Sequence, residues 1–474
     1  MRSVGLIMVA LVLCLTIDAS AQSYDTYFTG STLRVDYYHT GTKGEERISY
    51  DAAYEEGPWA GSRKNLLDPL NRGEYMVRVY DVASAQMIFS RGYSTMFHEW
   101  QTTEEALKGL YRTFHETVRI PMPKGKVQVI IARRDRNMVF HEIFSTLIDP
   151  ASPVAVNRER KALPFAAEKL IDNGTPAAAV DLVILGDGYA KADLKKFRAD
   201  ARHFTEVLFS TSPFKEAAKS FNVWVVDVES AESGIDIPDK NVWKSTVLGT
   251  MYNTFGSARY ILTEYNKALR DAAGLVPYDV IAILCNDNRY GGGGIYNQYT
   301  TCFTQTDKPG LEWQMDYVFV HELGHSFAGL GDEYYSSDVS YVDFYEKGVE
   351  PWEPNVTALN DPANLKWKNL VAPGTPIPTP WQKAAFDSLE AERGKLDRLA
   401  SDYYQKREPL YQAAQNILKT DPSKGAAGAF EGAGYASKGL YRPAIDCRMF
   451  SLSLVPFDPV CRAAIVQMIE YYTK

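Results

Sequence analysis

The sequence predicts a multidomain protein, with an all-β sandwich in front and an α/β domain behind it that carries a helical insertion. Three observations predict it. The 474 residues exceed what one hydrophobic core usually covers. From Tyr24 to Ile148, short runs rich in Val, Ile, Tyr and Phe are separated by Gly, Asp, Asn and Pro turns. From Val180 onward, strand-like runs alternate with helical periodicity, the signature of a layered α/β sheet. A chain 45% hydrophobic and 23% charged is neither disordered nor coiled-coil nor collagen-like. Its net charge of -8 excludes nucleic acid as a partner, since that needs a basic face.

The first element is a leader, residues 1–21. Arg2 precedes an apolar run from Val4 to Ile17, and Ala19-Ser20-Ala21 has the small residues of a cleavage site. The run is short for a membrane span, which takes roughly 20 residues. Leu11-Val12-Leu13 lacks the small residues expected before a lipid-modified Cys14. The expectation is an exported protein, secreted, periplasmic or at the cell surface, with no stable membrane insertion. Nothing in the sequence sets its oligomeric state.

Residues 22–150 form the expected sandwich, with strands at Thr32–Tyr38, Tyr75–Val82, Thr117–Ile120, Val127–Ala132 and Met138–Leu147. His39, His98, His115 and His141 fall here. The last three precede glutamates, but none has a second His four residues on, so all four read as ordinary strand and surface residues. A polar stretch, 151–179, reads as a linker.

The rear domain, 180–474, opens on strand Val180–Leu185 and a tight turn at Gly186-Asp187-Gly188, which lacks the rest of a nucleotide-binding fingerprint. Helix Ala190–Leu208 carries the isolated His203. Strand Asn222–Val228, helix Ser257–Ala272 and strand Asp279–Cys285 follow. An irregular and helical insertion occupies 351–424, with a helical stripe (Ala385, Leu389, Leu396, Leu399, Tyr403) interrupted by Gly394 and Pro409. Gly425–Tyr435 reads as small and flexible, and Val460–Tyr472 as a final helix.

Without Cys14, four cysteines remain: Cys285, Cys302, Cys447 and Cys461. In an oxidising compartment an even number permits disulfides in three pairings, and Cys285–Cys302 and Cys447–Cys461 would close short loops. Four buried thiols are the other state.

The chemistry lies in His321-Glu322-Leu323-Gly324-His325. An apolar lead-in, Tyr317-Val318-Phe319-Val320, supports a helix, on which residues four apart share a face and bring two imidazoles to one metal ion. Glu322 then stands beside a water on that metal, within reach of its proton. Gly329 can end the helix in a left-handed conformation, so that Asp332 or Glu333 returns an oxygen ligand. Three ligands with one open position is the catalytic arrangement. With only seven histidines in the chain, this spacing is specific.

The string from His321 through Gly329-Leu330-Gly331-Asp332-Glu333-Tyr334 resembles the IgA-peptidase family of bacterial zinc metalloproteases. It is similar to the metzincin pattern, with Gly329 and Asp332 each one position later. Leu185-Gly186-Asp187-Gly188-Tyr189, Glu232-Ser233-Gly234, Tyr290-Gly291-Gly292, Trp367-Lys368, Phe430-Glu431-Gly432-Ala433, Tyr441-Arg442-Pro443 and Cys447-Arg448-Met449 also look like that family. The resemblance spans Asp181 to the C-terminus. It implies a metzincin-like fold binding Zn2+, with His321 and His325 as ligands, Asp332 ahead of Glu333 as the third, and Glu322 as general base. It implies Met449 as the Met-turn residue beneath the metal. Position 451 is Ser where some metzincins use Tyr for the oxyanion, which leaves Tyr334, Tyr435 and Tyr441 as candidates. Segments Asp279–Cys285 and Tyr290–Tyr299 correspond to an edge strand that pairs with extended substrate, with Gly291–Gly294 allowing close approach.

The implied activity is that of a secreted zinc-dependent endopeptidase acting on an extracellular protein or peptide, with immunoglobulin A as the substrate the family name suggests. The other reading is a secreted host-protein or glycan binding protein whose metal site is not catalytic.

Overall fold

The computed structural model describes residues 23–159, 162–336, 339, 341–342, 344–396 and 402–474. The expected leader and Cys14 lie outside them. The architecture has two parts: a front domain made mostly of β-sheet and a mixed α/β rear domain.

After a helical turn, α1 (Tyr24–Tyr27), strands β1 (Phe28–Thr42) and β2 (Glu45–Pro58) form a long hairpin. Next come β3 (Tyr75–Asp81), β4 (Met87–Tyr93), helices α2 (Met96–Gln101) and α3 (Glu104–Leu107), and strands β5 (Arg112–Pro123), β6 (Val127–Arg134) and β7 (Phe140–Ile148). Two antiparallel sheets result, ordered β2-β1-β5 and β4-β3-β6-β7. Alternate residues of both, among them Val35, Tyr37, Val77, Val79, Val129 and Ile131, bury in one shared core. Three of the five expected strands fall within β1, β5 and β6, and the other two overlap β3 and β7, overrunning them at Val82 and at Met138-Val139. β2 escapes a sequence reading because it lies at a sheet edge, and its polar run Glu45–Pro58 buries only one side chain fully.

His39 is buried within this sheet, with Nδ1 3.0 Å from Glu116 and Nε2 2.9 Å from Glu46. Burial works against the charged forms, but the ion pairs outweigh it. His39 is raised above its ordinary value, and Glu46, which also meets Arg133, is pushed down to about 2.

In the rear domain, β8 (Ala167–Ile171), β9 (Val180–Asp187), α4 (Leu194–Ser210) and β10 (Phe221–Val226) are followed by two short strands, β11 (Thr250–Met251) and β12 (Leu262–Thr263). Helix α5 (Asn266–Ala273) leads to β13 (Val280–Cys285), β14 (Gly292–Ile295) and β15 (Tyr299–Phe303). The six-stranded sheet runs β14-β15-β13-β9-β10-β8, parallel from β15 to β10 and antiparallel at both edges. β8 lies within the stretch read as linker; its five residues, with Glu168 and Lys169 among them, are too few to show a strand pattern, yet they complete the edge beside β10. The expected helix from Ser257 begins instead at Asn266, because Leu262 and Thr263 pair with β11. The turn expected at Gly186-Asp187-Gly188 starts later: Gly186 and Asp187 still pair with β13 as the end of β9, Gly188 leaves the strand at φ 71, and the buried Asp187 carboxylate accepts hydrogen bonds from the backbone of Leu248 and Thr250.

Helix α6 (Trp313–Ala328) packs against β14 and β15. A Cβ on Gly292 would lie 2.5 Å from Val318, and one on Gly294 only 2.3 Å from the Glu322 carbonyl oxygen. The glycine run therefore serves the approach of helix to sheet. The insertion contains α7 (Lys383–Gly394) and α8 (Tyr403–Thr420), and Pro409 sits inside α8 rather than interrupting it. Leu399 of the expected stripe lies outside the described residues. The stretch expected to be flexible holds β16 (Phe430–Ala433), a hairpin partner of β17 (Ala436–Arg442). Helix α9 (Pro459–Thr473) closes the chain, capped by Asp458. Among the described residues, no helix is long and apolar enough to cross a membrane.

Neither expected short disulfide is formed: Cys285, Cys302, Cys447 and Cys461 are buried free thiols. Cys302 pairs in register with Leu284, and Cys285 with Phe303, so these two cysteines point to opposite faces of the sheet. The two domains interlock through the buried Arg72 and the half-buried Arg119. Arg72 donates to the carbonyls of Ala328 (3.0 Å) and Ala464 (3.1 Å), and Arg119 to that of Tyr278 (2.7 Å).

Two predictions follow from this packing. Gly294→Ala should lower stability by about 1–3 kcal/mol, because the backbone carbonyl it meets cannot rotate aside; an unchanged denaturation midpoint would contradict the close approach. The Glu46 contribution is complete above its ordinary value and lost as pH falls toward about 2, while that of His39 is lost as pH rises through its raised value. His39→Gln should therefore cost about 3 kcal/mol and flatten both flanks of a melting-temperature profile against pH.

Candidate metal centre

On α6, the spacing of four places His321 and His325 on one face, with their Nε2 atoms 3.2 Å apart. Each ring is turned by its other nitrogen. His321 Nδ1 lies 3.1 Å from the Arg448 carbonyl and His325 Nδ1 2.5 Å from that of Leu330. Donation from both Nδ1 groups leaves the Nε2 lone pairs free for a metal. The helix ends at Gly329, which adopts φ 64 and ψ 34, and its N–H bonds back to the His325 carbonyl at 2.9 Å.

The reversal brings Asp332 Oδ1 to 3.0 Å from His321 Nε2 and 3.3 Å from His325 Nε2. The three edges, 3.0, 3.2 and 3.3 Å, match the face of a tetrahedron whose metal–ligand bonds are about 2.0–2.1 Å. Asp332 Oδ1 is buried and has no hydrogen-bond partner, as a ligand atom facing an ion would be. The donor set therefore fits zinc. Asp332 Oδ2 accepts from the Tyr435 hydroxyl at 2.6 Å. Burial pushes the Asp332 carboxyl up, but the adjacent imidazoles hold it well below the usual range. Glu333, the alternative ligand, points elsewhere, toward Asn355 and Cys461.

Glu322 stands beside this group, and burial raises its carboxyl against the pull of His321 and His325. Met449 is buried, its sulfur 3.2 Å from the position a Cβ on Gly324 would take, against the helix turn between the histidines. Tyr334 stacks near His321 and takes a hydrogen bond from Arg259 at 3.2 Å. Tyr441 lies away, on β17.

A cavity of about 230 Å³ opens in front of these groups. Its walls include residues that sequence reasoning set aside or missed: His98 and Glu99 from the front domain, and Arg259, Tyr260 and Glu353. His98 was read as an ordinary strand residue; it sits instead on α2, at the domain junction. Burial pushes Glu99 up to about 7, against its hydrogen bonds from Tyr260 and Tyr341. No spacing signal marks these positions, because tertiary packing alone assembles them. β13 is interior, and on the edge strand β14 Gly292 is already bonded by Arg259 and Ile261 of the same chain.

Comparison with family models gives two matches, to IgA Peptidase M64 over residues 169–469 and to the Peptidase M64 N-terminus over residues 23–145. No curated protein matches the chain.

Removing the Tyr435 hydroxyl frees the far oxygen of Asp332 and loosens its aim. Tyr435→Phe should weaken metal affinity about 10- to 100-fold, measured by competition with a chelator; unchanged affinity would remove Tyr435 from this role.

Proposed function

The chain belongs to the M64 IgA peptidase family, a family of metallopeptidases, and from that premise we propose that it is an exported zinc-dependent endopeptidase. The observation that supports this most is the triangle of His321 Nε2, His325 Nε2 and Asp332 Oδ1 beside Glu322 at the floor of a cavity. His321, His325 and Asp332 are the zinc ligands in this reading, and Met449 is the Met-turn floor. Zinc, when bound, acidifies water to a pKa of about 7 and polarises a carbonyl oxygen.

Glu322 accepts the proton of the attacking water and returns it to the leaving amine. Tyr334 hydrogen-bonds the oxygen of the scissile carbonyl as negative charge develops there, and the Arg259 guanidinium at its hydroxyl strengthens it as a donor. Tyr435 is engaged by Asp332 and serves the ligand instead. Tyr317 donates to the Arg448 carbonyl at 2.6 Å, the same carbonyl that orients His321. The fold reading is a sandwich in front and a metzincin-like domain behind. The substrate is an extracellular protein or peptide, with immunoglobulin A the candidate the family name offers.

Glu322→Gln leaves the ligands in place and removes the base. With zinc content unchanged, kcat on an unstructured protein should fall about 10²- to 10⁴-fold. Cleavage at the parent rate would sink the assignment. A zinc-loaded parent that cuts nothing across a broad peptide library would favour the binding-protein reading instead.

A further inference from the structure

Behind the first centre lies a second convergence of ligand atoms. Glu333, Cys447, Asp458 and Cys461 each direct one ligand atom into a common point, all within 4.8 Å of one another, and all four residues are buried. Three segments meet here: the returning segment that carries Asp332, the turn that carries Met449, and the start of α9.

Each group is already posed for a cation. Cys461 Sγ lies 3.1 Å from Glu333 Oε1, which Asn355 holds from the other side at 2.8 Å. Cys447 Sγ receives the backbone N–H groups of Met449 and Asp458, each at 3.4 Å, donors that offset only part of the burial that raises both thiols in the absence of a cation. Cys461 sits in the first turn of α9, where the helix dipole favours negative charge. Asp458 spends Oδ1 on capping that helix, at 2.6 and 2.9 Å from the Val460 and Cys461 nitrogens.

The remaining oxygens of the two carboxylates, Glu333 Oε2 and Asp458 Oδ2, are buried with no donor from a third residue, and burial together with the Asp458 charge holds the Glu333 carboxyl well above its ordinary value. Orphaned carboxylate oxygens in an interior are costly. A disulfide between the two cysteines would leave the two carboxylates only each other. Arg442, buried near Glu333, gives hydrogen bonds to the carbonyls of Glu431, Gly432 and Ile445 and none to the cluster.

The geometry points to a second, structural zinc site formed by Cys447, Cys461, Glu333 and Asp458. Thiolate ligands select zinc over magnesium or calcium, and four protein ligands close the site, the structural rather than the catalytic arrangement. Binding releases the two thiol protons to solvent as the two sulfur–metal bonds form. Its effect is to tie the Asp332 segment, the Met449 turn and α9 into one unit, reinforcing the bond from Glu333 N–H to the Met449 carbonyl at 2.9 Å.

Cobalt substitution tests this in the full chain, because only the second site contains sulfur. Cobalt-loaded parent protein should hold two equivalents of metal and show a thiolate-to-cobalt band in the near ultraviolet. His321→Ala/His325→Ala should keep one equivalent and the full band; Cys447→Ser/Cys461→Ser should keep one equivalent and lose it. One equivalent in the parent, no sulfur band, or a Cys447–Cys461 disulfide found by mass spectrometry would overturn the proposal. The histidine variant keeps the test decisive where the cysteine variant does not fold, and it reads the second site independently of catalysis.

Discussion

The rear domain depends on one reversal of the chain. Two histidines on a helix face supply two ligands at most, and a third must come back from beyond the helix end. Only three residues separate Ala328 from Asp332, so α6 must stop abruptly. Gly329 makes the stop by entering the left-handed region at φ 64, where a side chain would also meet Trp352 at 2.8 Å. The carbonyls freed at the helix end then do further work. That of Leu330 orients His325, and that of Ala328 receives Arg72 from the front domain. Removing the turn would therefore disturb a ligand, its orienting bond and a domain contact together.

The second requirement is proximity. A helix carrying a reactive face has to lie close enough to the sheet edge for strand and helix backbones to touch, which is why β14 is a run of glycines. The same residues, seen as sequence, suggest a surface for substrate backbone. In the structure their inner face is taken by α6 and the outer bonds of Gly292 by Arg259 and Ile261. Arg259 thereby gains a fixed position, and its guanidinium reaches Tyr334 beside the histidines. A segment that serves packing thus also places a charged group in the cavity.

Much of this was legible because it is local. His321, Glu322 and His325 follow from helical period, Gly329 from cap chemistry, and the buried strands β9 and β13 from continuous apolar runs. What escaped was set by partners distant in sequence. β8 is only five residues long and β2 is short of buried apolar residues, as edge strands can be. The four cysteines looked like disulfide candidates, yet register puts Cys285 and Cys302 on opposite faces. His98 and Glu99 gave no ligand spacing and still line the cavity, because α2 packs at the domain junction.

The choice between Asp332 and Glu333 shows where sequence reasoning stops. Both are carboxylates at the right distance from the helix, and no composition argument separates them. From Leu330 to Tyr335 the chain forms neither helix nor strand, and the neighbouring carboxylates leave it toward different partners. Asp332 faces the two imidazoles, and Glu333 faces away, into the interior occupied by Cys461 and Asn355. A carboxylate sent there has left solvent without a cation of its own. The burial that makes Asp332 a well-held ligand is thus the same burial that obliges the chain to provide for Glu333 on the other side.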